Sequence, residues 1–519
     1  MKRKDSDSKI NFIDRTIAYF SPRWGANRQA ARIRIEAAMQ FRGAESGRLR
    51  SDWILGQTQT TPSSWELQVL RNRSRDLNCN DPVASGATET MATNIVGRGL
   101  RPQSRLRAEI LGISEDRARE LQRQAEFIWQ TWTPWADSGN RLDFDELQFL
   151  ALRKVVEDGE IIALPVMAEE PWRPIRRAVE LIEVDRLMPG AGGSQTIISQ
   201  GVELGTRGEP VAYWLAPFDP KTGMAGEPKR IEARDKQGRP RVLHIFRTSR
   251  PGQLRGVPFF APVLTYFKDL ADYLEAEVVA ARVAACLAVF ITKTNPYLAG
   301  SQVATGMETN TGARVQGIEP GLVSYLALGE DIKVVDPKRG GETFSSFVEG
   351  ILRIIGVALG LPYELLVKDF SKTNYSSARA ALLEGRRMFI NWRSWFAARF
   401  CQPLWDLVLE EAFLRGQFDA PKFYDFRSEY ARALWIGGGW GWVDPVKEVQ
   451  SSKMAIDYNL STLAEEVAGQ GRDWEEVLEQ KKREQDRIAE LGLTIPNASA
   501  QSSVFPAGTT EGGQDVKAE

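Results

Sequence analysis

The sequence predicts an α+β protein dominated by helices, and three observations carry that reading. Apolar residues recur at helical spacing over Pro258–Ile291 and again from Ser346 to Gly360, and a further long helical stretch runs from Ser377 to Gly416. Short β-rich runs bounded by Gly, Pro or Asp cluster between residues 160 and 250. No regular strand–helix alternation marks a doubly wound parallel sheet.

Taken in order, residues 1–50 hold twelve Lys/Arg against five Asp/Glu and read as an extended or partly helical basic arm, with helical character over Ala30–Gly43. From Trp65 to Gly99, Leu67, Leu70, Leu77, Ile95 and Val96 suggest helices broken at Asn80-Asp81-Pro82. Ser114-Glu115-Asp116 is an N-cap with an acidic first turn. The helix it opens carries Leu121, Ala125, Ile128, Trp129 and Trp132 to a core and ends near Pro134. Strands are expected at Ile161–Val166, Val179–Val184, Val211–Leu215 and Val242–Phe246.

A long helix then runs from Pro258 to Ile291, with Val263, Phe267, Leu270, Leu274 and Val278 as its apolar stripe. Asp269, Asp272 and Glu275 form a polar ridge on it. Residues 292–342 are rich in Gly, Thr and Asn, then strand-like at Gly321–Leu328 and Ile332–Val335. A return helix is expected from Ser346, where Ser346 and Glu349 fit a capping box, to a stop at Gly360-Leu361-Pro362. A polar loop, Lys368–Tyr375, leads into a long helix from Ser377 to Gly416 that Pro403 should kink. Two or three charged helices fill 445–492, and 493–519 is expected to be disordered. Helix, small β excursion, return helix, loop and kinked helix suit an elongated subunit whose middle projects from its body.

Composition narrows the function. The chain has 519 residues, length for about three domains, with 67 Lys+Arg against 68 Asp+Glu, a net charge of −1. That balance argues against a protein coated in nucleic acid. Cys79, Cys286 and Cys401 are too few and too far apart for a disulfide framework or a CxxC metal site, so a reducing compartment is expected. The amino terminus lacks the apolar region of a secretory signal. The longest nearly apolar stretch, Val278–Ile291, is broken by Arg282 and too short to span a bilayer, so no membrane is expected.

Catalytic signals are missing. The single histidine, His244, excludes HExxH sites, and its apolar flanks mark a packed or hydrogen-bonded residue in a buried strand. No Gly-Lys dipeptide exists to build a P-loop, and no GxSxG elbow occurs. Gly437–Trp442 reads as a packed turn rather than a phosphate loop. Asp143–Glu146 and Glu157–Glu160 read as solvated helix starts and turns rather than metal ligands. No catalytic, metal or cofactor-binding residue is expected.

Against this background seven blocks stand out in order. They are Arg71-Asn-Arg-Ser-Arg-Asp-Leu77 with Asn80-Asp-Pro82, Asn94-Ile-Val-Gly-Arg-Gly-Leu-Arg-Pro102, Val156–Glu160, Leu181–Glu183, Pro251–Pro258, Gly360–Leu366, and Lys368–Lys372 with Tyr375–Ala378. Through these blocks the chain resembles the lambda-like family of tailed-bacteriophage portal proteins. The first is similar to the family's basic motif and following turn, the second to its next turn, and the last is the most specific. Asp81 stands where the family more often has Asn, which should alter only a local turn.

The resemblance implies a portal-type subunit with these parts: a basic arm (1–50), a wing, helical then β-rich (51–258), a first stem helix (259–291) and a clip (292–342). A second stem helix (343–361) follows, then a tunnel loop, kinked long helix and the rest of the wing (362–444), a helical crown (445–492) and a disordered tail (493–519). It implies a ring, usually of twelve copies, at one capsid vertex of the virion, assembled in the bacterial host cytoplasm. Double-stranded DNA would pass through its channel in packaging and ejection. The major capsid protein or scaffold, the large terminase and a head–tail connector would be its partners, with ATP hydrolysis left to the terminase. The tunnel-loop residues would be Lys368, Asp369, Lys372, Asn374 and Tyr375, and the channel-facing stem residues Asp269, Asp272 and Glu275. A channel must guide DNA without holding it, and a near-neutral chain with an acidic ridge meets that need. The competing readings are a nuclease using the acidic clusters with a divalent metal, and another head-completion protein.

Overall fold

A computed structural model describes residues 61–189, 197–218, 226–285, 341–441 and 444–493, with short strands between 289 and 334. The basic arm, the Ala30–Gly43 helix, most of 292–342 including Gly321–Leu328, Cys286, Trp442 and the tail from 494 lie outside the described residues.

Pro82 has no N–H to continue a helix, so the first helical stretch splits into α1 (Ser64–Asn80) and α2 (Pro82–Ile95). The Asp81 carboxylate accepts from the N–H groups of Val83 (2.9 Å) and Ala84 (2.8 Å). The departure from Asn therefore keeps the cap and adds a negative charge at the positive end of α2. Strand β1 (Arg101–Ser104) precedes α3 (Glu115–Trp132), which is capped by Ser114 as expected. Next, α4 (Phe144–Asp158) starts in a capping box of Asp143 and Glu146. It stops at Gly159, whose φ is +87°. A Cβ there would stand 2.3 Å from the Val257 carbonyl carbon, so the position has room for no side chain.

The β-rich segment builds two sheets. Strand β2 (Glu160–Met167) lies between β3 (Arg177–Ile182) and β8 (Leu243–Phe246), antiparallel to both. Four strands, β4 (Ile197–Ser199), β5 (Val202–Leu204), β6 (Pro210–Leu215) and β7 (Lys229–Glu232), pair in sequence order as an antiparallel meander. Ile162, Ile182, Val202, Tyr213 and Leu215 form a small core of their own. The main core is aromatic: Trp129 packs on Trp132 (4.6 Å between centroids), Phe144 (4.9 Å) and Trp405 (5.4 Å).

The first long helix, α5 (Leu264–Ala285), is shorter than its apolar pattern suggested. Val289-Phe-Ile-Thr-Lys293 has the β-branched and aromatic content of a strand. It forms β9, antiparallel to β10 (Glu330–Val334). The return helix α6 (Gly341–Leu359) begins five residues before Ser346, so that serine is interior and the expected capping box does not exist. Tyr273 of α5 meets Phe344 (5.8 Å) and Phe347 (4.8 Å) of α6. Short α7 (Tyr363–Val367) follows the stop at Gly360.

The long helical stretch is α8 (Tyr375–Phe396) and α9 (Gln402–Leu414), joined by a five-residue π turn, Ala397–Cys401. That turn absorbs the break from Pro403, which falls in the first turn of α9, where a missing N–H costs little. Strand β11 (Ala433–Ile436) then pairs antiparallel with β1. Gly437–Gly441 is extended chain rather than the expected turn, held by two contacts: Arg393 stacks on Trp440 at 4.6 Å, and Gly439 lies against the Gln470 backbone.

The last helices, α10 (Pro445–Asp457), α11 (Leu463–Gly469) and α12 (Trp474–Glu490), meet the body at Gln103, whose Nε2 donates to Asp473 at 2.6 Å. Beside that contact, burial pushes the Glu126 carboxyl up to about 8, and Asp473, Glu475 and Glu476 add to the rise. Its stabilising contribution is complete below the ordinary value of 4.5 and is lost as pH climbs through about 8. Glu126→Gln keeps an acceptor for the Ser104 N–H. We expect it to flatten the melting profile between pH 5 and 9 and to stabilise the alkaline end, on the order of 3 kcal/mol. An unchanged profile would refute this.

Candidate functional site

Two places carry the expected site residues. On α5, Asp269, Asp272 and Glu275 are exposed and lie, by helical geometry, roughly opposite the apolar stripe. Asp272 accepts from Lys268 at 2.7 Å, so a basic neighbour partly neutralises the ridge. The apolar stripe divides: Val263, Phe267 and Leu270 are buried, but Leu274 and Val278 stay exposed within one chain.

Helix α6 is apolar on two sides. Leu352, Ile355 and Leu359 face the body, whereas Ile354 and Val357 form a second, uncovered stripe, with Val357 83% exposed. An isolated soluble helix needs only one apolar face.

The second place is the loop between α7 and α8. Lys368 ends α7 in the left-handed conformation (φ +60°) and is exposed. Asp369 accepts from the Ser371 N–H at 2.9 Å, and Thr373 donates to the Phe370 carbonyl at 2.9 Å. Asn374 caps α8 by accepting from the Ser377 N–H at 2.9 Å. Tyr375 opens that helix, with Lys447 6.0 Å from its ring centre. Lys372 forms an ion pair with Glu349 of α6. The loop is thus more tied down than its polar composition suggests, and Glu349 serves it rather than a helix cap.

Sequence reasoning missed the most buried polar centre. Glu160 is fully buried on β2. Its Oε1 accepts from Arg71 and from Arg255 Nε (2.8 Å), and its Oε2 accepts from the Gly256 N–H (2.6 Å) and lies 2.8 Å from His244 Nε2. Burial alone would raise its pKa, but Arg255, His244 and Arg71 outweigh that and hold it well below the carboxylate range. Arg75 adds a fork to Asp158 (2.6 and 3.1 Å) and a bond to Asp185 (2.5 Å).

The expectation that Glu157–Glu160 is a solvated turn is therefore wrong, because arginines from α1 and residue 255 neutralise it inside the protein. His244 does sit on a strand and is hydrogen-bonded, but its partner lies across the sheet, where its flanks could not reveal it. Among the described residues no group of three His, Cys, Asp or Glu could hold a metal ion. None of the described helices is long and apolar enough to cross a membrane.

A family model described as phage portal protein, lambda family, matches residues 46–393. The chain belongs to the lambda family of phage portal proteins. It is 26% identical to the portal protein of Escherichia phage N15, over 85% of this chain and 88% of that one. It is 25% identical to portal protein B of Escherichia phage lambda, over 86% and 88%. A chain from the virion of a native gene transfer agent particle is a looser likeness, at 15% identity and a TM-score of 0.39 over 74% of this chain and 97% of that one.

Portal proteins are structural components of the bacteriophage virion, and the family match favours that reading over the metal-dependent nuclease. Three of the blocks that carry the portal resemblance, 71–77, 156–160 and 251–258, meet at Glu160 through Arg71, Glu160 itself and Arg255. In this portal protein those blocks share a structural task, which is to fasten α1, β2 and the approach to α5 to one buried charge.

Proposed function

We propose that this portal protein closes into a ring of twelve copies at one capsid vertex, with a central channel for double-stranded DNA in packaging and ejection. The uncovered stripe of Ile354 and Val357 carries this reading, because a neighbouring copy would bury it. In this reading α5 and α6 are the stem, residues 292–342 the clip, 445–492 the crown and 51–258 with 362–444 the wing. Asp269, Asp272 and Glu275 face the channel, where their charge repels phosphate and keeps DNA from settling. The loop from Lys368 to Tyr375 borders the DNA path. The capsid protein or scaffold, the large terminase and a head–tail connector dock on the outside, and the chain itself catalyses nothing.

Purified full-length protein should scatter light as a particle of roughly 0.7 MDa, twelve times the 58.1 kDa chain. It should show no turnover of ATP or DNA. A monomer at all concentrations, or turnover abolished by a point substitution in this chain, would overturn the proposal.

A further inference from the structure

Lys372 of the loop does not stand free. Its ammonium pairs with Glu349, whose carboxylate also receives Arg353 Nη2 at 3.3 Å and Ser345 Oγ at 3.4 Å. The lysine side chain is 63% exposed and the glutamate side chain 16%. Glu349 is therefore the fixed member, held on α6 by two further donors, and Lys372 is the member that can leave.

The turn built by Asp369, Thr373 and Asn374 presents Lys372 to α6 without using the lysine itself. A lysine ammonium is a compact charge on a flexible stem, so it can exchange a carboxylate for a phosphate with little rearrangement.

We infer that Glu349 is an internal phosphate mimic: it competes with the DNA backbone for Lys372 and so limits how tightly the loop can grip. This rests on the reading that the loop borders the DNA path. An exposed lysine without a partner would gain a whole phosphate contact, and each such contact steepens the salt dependence of binding. A lysine that must first give up Glu349 gains only the difference between two similar ion pairs. Repeated around a ring, that difference separates a surface on which DNA slides from one on which it stalls. Glu349 does not touch DNA in this scheme; it is a positioning residue that acts through Lys372.

The test uses purified full-length rings and a short end-labelled duplex, with anisotropy read across a salt titration. Glu349→Gln should bind about threefold to fivefold tighter, the range set by losing a competing surface ion pair, and with a steeper salt slope. In a Lys372→Ala background the same substitution should change nothing. Equal tightening in both backgrounds would mean a general loss of negative charge and would overturn the inference, as would no tightening in either. The control is Lys368→Ala with Lys372→Ala. If that pair weakens binding while Glu349→Gln has no effect, the loop borders DNA but the competition is absent. If that pair leaves affinity and salt slope unchanged, the loop reading itself falls. Melting temperatures matching the parent ring show that each variant is folded.

Discussion

Glu160→Ala should destabilise the protein by about 3–5 kcal/mol, the range for removing one partner from a buried charge cluster. The loss is large because of what remains. Arg71 and Arg255 are both nearly inaccessible, and without the carboxylate two guanidinium groups stay buried without their paired counter-charge, leaving Arg71 only the more distant Asp158 and Asp185. The Gly256 N–H and His244 lose their acceptor as well. Because the folded-state pKa lies below the ordinary 4.5, this group's stabilisation is present above that value and drains away as pH falls beneath it. Thermal melts of parent and variant should differ most near neutrality and converge in acid. A parallel offset at every pH would locate the effect in packing rather than charge.

Val357→Glu should abolish ring formation while leaving the fold of each subunit intact. The side chain is 83% exposed in one chain, so a charge there meets only water until a neighbour arrives. In the ring the variant forfeits about 2 kcal/mol of apolar burial per contact and adds the cost of an unpaired charge at each interface. Light scattering should show subunits of single-chain mass, with a melting temperature close to that of the parent subunit. Rings of normal size would mean that the second stripe of α6 faces solvent and that another surface closes the assembly.

Much of the fold was legible because its signals are local. Ser114 and Asp81 announce helix starts, Pro82 a break, and runs such as Ile161–Val166 declare strands by their own side chains. The boundaries that failed were decided elsewhere. Val289–Ile291 continues an apolar helical pattern and also has strand-like composition, and pairing with Glu330–Val334 decides between the two. Ser346 and Glu349 have capping-box spacing, but α6 had already begun and Glu349 turned to Lys372. The Glu160 centre was illegible because its arginines lie 89 and 95 residues away in sequence. Nothing at the glutamate itself marks it as paired. The loop was legible as a loop, but its internal bonds depend on side-chain geometry that composition does not encode.

The pairing of β1 with β11 bears on biosynthesis. Arg101 sits opposite Ile436, and Arg107 is likewise clasped by Glu429, so the early body is completed by residues made more than three hundred positions later. At translation rates of about 5–20 residues per second, β1 waits on the order of 17–70 s for its partner. During that interval an open strand edge, the face of α3 destined for α9 and the face of α4 destined for the π turn are uncovered on the ribosome. A nascent chain in that state has both long helices α5 and α6 already synthesised, yet lacks a finished body to orient them. Premature termination between residues 360 and 430 should therefore yield chains that aggregate instead of joining assemblies.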